Sequence, residues 1–188
     1  MDSTNVHAPE EFRGLVATEN TGPARELPGT PGGFFLEQGY GHKNSLLSQL
    51  ITTLVSGRET GGRFSMLLFE GPANEPIPAH YHTQEDEWYF VLEGKVRWWH
   101  GTEHRLLYPG DSVYLPANVV HCFKLEGGYN KMIGLNVTAG FEDFFEVIGS
   151  RTEEFSAPND YQIPTEQQWR DAADQFGWHA VPDYDYGI

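Results

Sequence analysis

The chain has 188 residues, enough for one domain with a sizeable core. Hydrophobic residues at 39% and aromatics at 14% give a globular balance, not a disordered one, and no apolar run approaches membrane-spanning length. A formal net charge of −15 argues against nucleic acid and anionic membrane surfaces as partners, since both repel an acidic surface. The single cysteine, Cys122, leaves no intramolecular disulfide to form and points to a reducing compartment. The N-terminus carries no basic region followed by an apolar run. Together these features lead us to expect a soluble, cytoplasmic protein.

Residues 1–32 carry Pro9, Pro23, Pro28 and Pro31 among scattered charges and read as an extended arm. Short β-favouring segments follow from residue 33 to residue 137: Phe34 to Gln38, Leu50 to Val55, Arg63 to Phe69, Ile77 to His82 and Asp86 to Leu92. The series continues with Lys95 to His100, Glu103 to Tyr108, Ser112 to Leu115, His121 to Glu126 and Lys131 to Val137, with hairpins at Gly94-Lys95 and Gly101-Thr102. This pattern predicts an all-β fold, a closed or sandwiched antiparallel structure. Residues 138–188 form a helical extension. Phe141, Phe144, Phe145 and Ile148 share one helical face ended by Gly149. Thr165-Glu-Gln-Gln168 is a capping box for a helix through Phe176, closed by Gly177. Both helices are expected to pack over the barrel, and the Phe residues to serve that packing more than to wall a pocket.

The chemistry concentrates between His80 and Gly94. Alternate side chains of a strand share a face, so His80 and His82 point the same way, about 7 Å apart along the backbone. On the next strand Glu87, Tyr89 and Val91 share one face, and Asp86, Trp88, Phe90 and Leu92 the other. Either Asp86 or Glu87 can supply a carboxylate. Glu87 is preferred for its company on that face and its spacing to Gly94. A lone His-x-His pair reads better as two polar residues on an exposed strand.

Two stretches resemble the paired motifs of the cupin family. His80, His82, Glu87 and Gly94 match the first motif, and Gly110, Pro116 and His121 the second. The resemblance implies a single cupin, an antiparallel β-barrel or jelly roll with C-terminal helices packed on it. It also implies one divalent transition metal ion (Ni, Fe, Mn, Co, Cu or Zn) held by His80, His82, Glu87 and His121. Two positions depart from the pattern. Asn118 stands where a glycine follows the motif proline, and Asn tolerates left-handed backbone. Asn74 stands where a glycine precedes the first motif, with Gly71 the nearest glycine.

Four further runs, Gly32 to Gly39, Ser56 to Ser65, Phe69 to Pro72 and Gly140 to Phe145, are similar to those of single-cupin quercetinases, which are flavonol 2,4-dioxygenases. That similarity implies a small aromatic substrate and dioxygen. It implies opening of the flavonol central ring, with Glu87 taking the proton of the 3-hydroxyl that binds the metal as an enolate. Tyr89 and Phe123 share faces with Glu87 and His121 and are placed against the substrate; simple barrel packing is the competing account of both. A non-oxidative isomerase, cyclase or lyase on the same site is the alternative reaction class, and a binding cupin without catalysis the third. The arm and exposed strand edges suggest a homodimer. His7, His42, His100, His104 and His179 read as surface residues, Cys122 as a small buried hydrophobe.

Overall fold

A computed structural model describes residues 25–161 and 163–187. Most of the expected N-terminal arm, with His7, lies outside the described residues.

Two long strands, β5 (Asp86–His100) and β8 (His121–Val137), form the spine of the fold. They pair antiparallel from Asp86 against Val137 to His100 against His121. The sequence suggested a hairpin at Gly94, but the chain does not reverse there. Instead the ladder slips on either side of Glu93, and Gly94 takes a φ of 81°. A Cβ at Gly94 would run into Asn130 Oδ1, which accepts a hydrogen bond of 2.8 Å from the Lys95 amide. The glycine thus marks a bulge that bends one strand, an outcome that local sequence shares with a turn. Gly101 does close a hairpin, with His100 opposite Glu103.

Because β5 and β8 bend, each serves both sides of the barrel. β5 pairs with β7 (Ser112–Leu115) along its first half and with β6 (Glu103–Leu107) along its second. β8 pairs with β3 (Ser65–Pro72), which continues to β2 (Gln49–Val55), β1 (His42–Leu46) and the short β9 (Ser150–Arg151). At its other end β8 meets β4 (His80–His82), and β4 carries β10 (Trp178–Ala180). The result, among the described residues, is one curled antiparallel sheet of ten strands. Period-2 patterning explains which face is inside: Glu87, Tyr89 and Val91 are buried, while Trp88, Phe90 and Leu92 are exposed. Leu67, Val91, Val96, Leu125 and Met132 are fully buried at the centre, each contributing about 1.5–3 kcal/mol by leaving water.

The outer strands of the sheet differ from the expected series. Phe34 to Gln38 forms no strand; the first strand is the polar His42–Leu46. Its Lys43 and Asn44 are each 2% exposed, and Lys43 Nζ donates to the Glu153 carbonyl at 2.9 Å. The tail also has structure. β10 pairs Trp178 with His82 and Ala180 with His80, and Tyr184 and Tyr186 pack on Ala79, Trp99 and Cys122. Trp99 Nε1 donates to the Tyr186 carbonyl at 2.7 Å, so this buried tryptophan is covered by the C-terminal tail.

The helices among the described residues are α1 (Gly57–Thr60), α2 (Glu142–Ile148) and α3 (Glu166–Phe176). Thr165 and Gln168 make the expected reciprocal cap, worth about 1 kcal/mol, and Gly177 ends α3 in left-handed backbone. The run from Ser56 to Ser65 is a structural clasp. Ser56 and Glu59 form a second capping box, Glu59 accepts from the Gly29 amide at 2.6 Å, and Glu142 accepts from the Gly57 amide at 2.6 Å. α2 and α3 lie over one end of the barrel, with Phe141, Phe144, Phe145, Ile148 and Ala172 in the main core. None of the helices among the described residues is long and apolar enough to cross a membrane.

Candidate metal centre

Four buried side chains from three strands converge inside the barrel. His80 and His82 project inward from β4, Glu87 from β5 and His121 from the start of β8. One potential ligand atom from each lies within 4.8 Å of the others. Register explains the convergence. His80 is opposite His121 across the β4–β8 ladder, and β4 and β5 are joined by a short turn.

Every imidazole is oriented by an outer partner. His80 Nδ1 lies 2.7 Å from the Pro78 carbonyl, and His121 Nδ1 lies 2.9 Å from the Val119 carbonyl. A carbonyl only accepts, so these Nδ1 atoms carry protons and Nε2 presents its lone pair. His82 Nδ1 sits 2.5 Å from Glu85 Oε1, and Glu85 is only 4% exposed. The proline and Asn118 turn supports the same end: the Asn118 amide donates to the His82 carbonyl at 2.7 Å, with Asn118 at a φ of 66°. Asn74 Oδ1 accepts from the Leu125 amide at 2.9 Å, a role that a glycine at this place would not fill.

On the inner side, Glu87 Oε2 is 2.9 Å from His121 Nε2 and 3.5 Å from His82 Nε2. All three atoms are buried without a hydrogen-bond partner. Burying unpaired polar atoms together is costly unless a cation joins them. Three imidazole nitrogens and one carboxylate oxygen fit a first-row divalent ion, and the set fits a cupin metal site. Burial disfavours the charged form of Glu87, but the imidazoles of His82, His121 and His80 outweigh it and hold the carboxyl far below the usual range. Burial, with His121 and His82 alongside, keeps His80 well below the ordinary imidazole value. Burial pulls His82 down as well, yet Glu87 and Glu85 prevail and raise it. The carboxylate is therefore ionised and His80 neutral near neutrality, the protonation states that metal binding requires.

The other carboxylate candidate, Asp86, faces away: its oxygens accept from Tyr114 Oη at 2.9 Å and the Ala117 amide at 2.8 Å. Tyr89 Oη donates to Glu87 Oε1 at 3.0 Å, and burial beside that carboxylate raises the phenol. Tyr89 and Phe123 both line a cavity that opens on His80, His82 and Glu87. So do Phe141, Phe144 and Phe145, which pack the helix and wall the cavity at once, together with Trp169 and Trp178. Trp178 stacks on His80 with ring centroids 5.1 Å apart. The cavity volume is about 60 Å³, room for a few waters.

Sequence reasoning missed Glu85, Trp178 and Gln49. Glu85 is three residues after His82 across a turn, Trp178 reaches the site on an unforeseen strand, and Gln49 looks like an ordinary strand polar residue. Of the histidines read as surface residues, His104 and His179 are exposed; His42 and His100 are half-buried, His42 lying 3.3 Å from Glu146.

Residues 67–135, which hold all four converging side chains, match the cupin domain family model. The chain belongs to the cupin superfamily. Two curated relatives of this cupin bear the name quercetin 2,3-dioxygenase. The one from Bacillus subtilis is 35% identical over 68% of this chain and 38% of the relative; the one from Aspergillus japonicus is 28% identical over 59% and 34%. The chain thus spans little more than a third of the length of the curated relatives it matches. Among solved structures, KdgF from Halomonas sp. superposes with a TM-score of 0.53 over 59% of this cupin and 97% of that chain, at 16% identity, a likeness of fold.

Proposed function

We propose that this cupin is a metal-dependent dioxygenase that opens the central ring of a flavonol such as quercetin. The observation that carries this reading is the cavity: a cluster suited to a metal opens on walls of Phe69, Tyr89, Phe123, Phe144, Trp169 and Trp178. An aromatic enclosure with few polar groups suits a planar aromatic substrate. The names of the two curated relatives point the same way. In the overall reaction both atoms of dioxygen enter the depside product and one ring carbon leaves as carbon monoxide.

His80, His82, Glu87 and His121 would hold the ion, with nickel, iron, manganese, cobalt and copper all compatible with the donor set. A divalent first-row metal there supplies Lewis acidity and access to dioxygen chemistry. Glu87, ionised near neutrality, is the base placed toward the flavonol 3-hydroxyl; because the imidazoles hold its carboxyl low, the transfer would depend on the ion's Lewis acidity to acidify that hydroxyl. Its Oε1 points away from the imidazoles and toward Tyr89, so the transferred proton is held at Oε1 beside a phenol that stays protonated. Trp178, stacked on His80, keeps water from the reacting end. Tyr89 and Phe123 contact the substrate rings. The cavity volume of about 60 Å³ is well below an ordinary ligand site, so admission of a flavonol requires the aromatic side chains of α2 and α3 to swing outward.

The test is oxygen uptake by the purified chain, loaded in turn with each of the five metals, in the presence of quercetin. Uptake matched by loss of the flavonol absorbance and release of carbon monoxide supports the proposal. Absence of uptake with every metal rules it out and leaves the non-oxidative alternative.

A further inference from the structure

The hairpin between β1 and β2 is unusual chemically and conformationally. Leu46 pairs with Gln49, so Leu47 and Ser48 form a two-residue loop of the kind that favours glycine or asparagine. Leu47 instead occupies left-handed backbone at a φ of 53°, at a cost that a glycine would avoid. Leu47 and Gln49 both line the cavity. A strained bulky residue in a cavity wall is what a binding site retains and a plain turn does not.

Gln49 is 4% exposed, and its Oε1 is buried without a partner. Among the described residues it is the one carboxamide in a wall built otherwise from aliphatic and aromatic side chains and the converging cluster. A buried amide left unpaired is unfavourable, and a ligand hydroxyl removes that penalty by donating to Oε1 or accepting from the amide group. Among the described residues no lysine or arginine lines the cavity, so an anionic group finds no counter-charge from them. The sheet order β4-β8-β3-β2 separates Gln49 from the histidine strand by three ladder spacings. At about 4.8 Å each this is roughly 14 Å along the sheet, and less across the barrel.

We propose that Gln49 is a specificity-determining residue that recognises a neutral phenolic hydroxyl on a substrate ring remote from the metal-facing oxygen. The inference deepens the flavonol reading and rests on it for the identity of the scaffold. It selects polyhydroxylated flavonols over the bare 3-hydroxyflavone skeleton.

The experiment compares quercetin with 3-hydroxyflavone, which keeps the 3-hydroxyl and lacks the ring hydroxyls. Binding to the metal-loaded chain is followed without oxygen by quenching of tryptophan fluorescence, in wild type and in Gln49→Met, which preserves side-chain length. Wild type is expected to favour quercetin by about tenfold, the effect of one hydrogen bond to a buried partner. In Gln49→Met the ratio falls to near one through weaker quercetin binding, with 3-hydroxyflavone unchanged; Gln49→Leu serves as a second variant. Because 3-hydroxyflavone binding must stay unchanged while the ratio falls, a general loss of fold, which weakens both compounds, cannot mimic the result. An unchanged ratio, no preference in wild type, or no binding of either compound overturns the proposal. Oxygen uptake is measured on the same preparations. Discrimination without uptake removes the dioxygenase reading and leaves Gln49 in place, whereas uptake with an unchanged ratio does the reverse.

Discussion

Glu85 provides the sharpest test of how the site is organised. Its carboxylate lies 2.5 Å from His82 Nδ1, with Glu85 4% and His82 1% exposed by side chain. Glu85→Gln retains an acceptor for the Nδ1 proton, so the tautomer persists, but removes a charge that makes the imidazole a better ligand. Hydrogen bonds to charged groups contribute about 1.5–3 kcal/mol and neutral ones about 0.5–1.5. The variant is therefore expected to lose roughly 1–2 kcal/mol of stability, and about 10- to 100-fold in metal affinity, the usual effect of removing an outer-shell partner. Competition of the metal-free chain against a chelating dye reads the affinity, and thermal unfolding reads the stability. An internal control is available in Glu146→Gln, because Glu146 also faces a histidine, His42, at 3.3 Å but at a partly exposed place away from the cluster. Exposed pairs contribute at most about 1 kcal/mol, so this variant leaves metal affinity untouched. Equal effects of the two substitutions, or less than a twofold change for Glu85→Gln, would refute the outer-partner reasoning.

Tyr89→Phe removes the donor at Glu87 Oε1 and keeps the ring in the cavity wall. It should cost about 1.5–3 kcal/mol in a thermal melt and lower turnover, with metal content unchanged by elemental analysis; a drop in metal content alone would point to a different role. Burial pushes the Cys122 thiol up to about 12. At pH 8 only about one molecule in ten thousand carries the thiolate, so the native chain should resist a disulfide reagent that labels the denatured chain within minutes. Fast native labelling would show the site to be open. Trp169→Ala widens the cavity from the α3 side and is expected to speed quercetin association in stopped-flow fluorescence, since binding no longer waits on that side chain. An unchanged rate would place the way in elsewhere.

Much of this protein was legible in its sequence because side-chain alternation is short-ranged. His80, His82, Glu87 and His121 are expected on inward faces by simple period-2 counting, and all four are buried. Thr165, Gln168 and Gly177 bracket α3 because capping is a local exchange of hydrogen bonds. What escaped was decided at long range. Gly94 reads as a turn until Asn130, far along the chain, is seen to occupy the space that a Cβ would need. β1 is hidden because its buried Lys43 finds its partner, the Glu153 carbonyl, 110 residues away. Trp178 reaches His80 only because β10 returns to pair with β4, a contact without local periodicity. The dual use of Phe141, Phe144 and Phe145 is likewise invisible locally, since core packing and cavity walls select the same side chains.

Titration of metal-free protein with nickel, iron, manganese, cobalt or copper, followed by elemental analysis after desalting, tests the central assignment most directly. The account predicts one bound ion per chain in wild type and almost none in His82→Ala or His121→Ala, each of which stays folded by circular dichroism. An empty wild-type chain, or an undiminished ion in both variants, would contradict it.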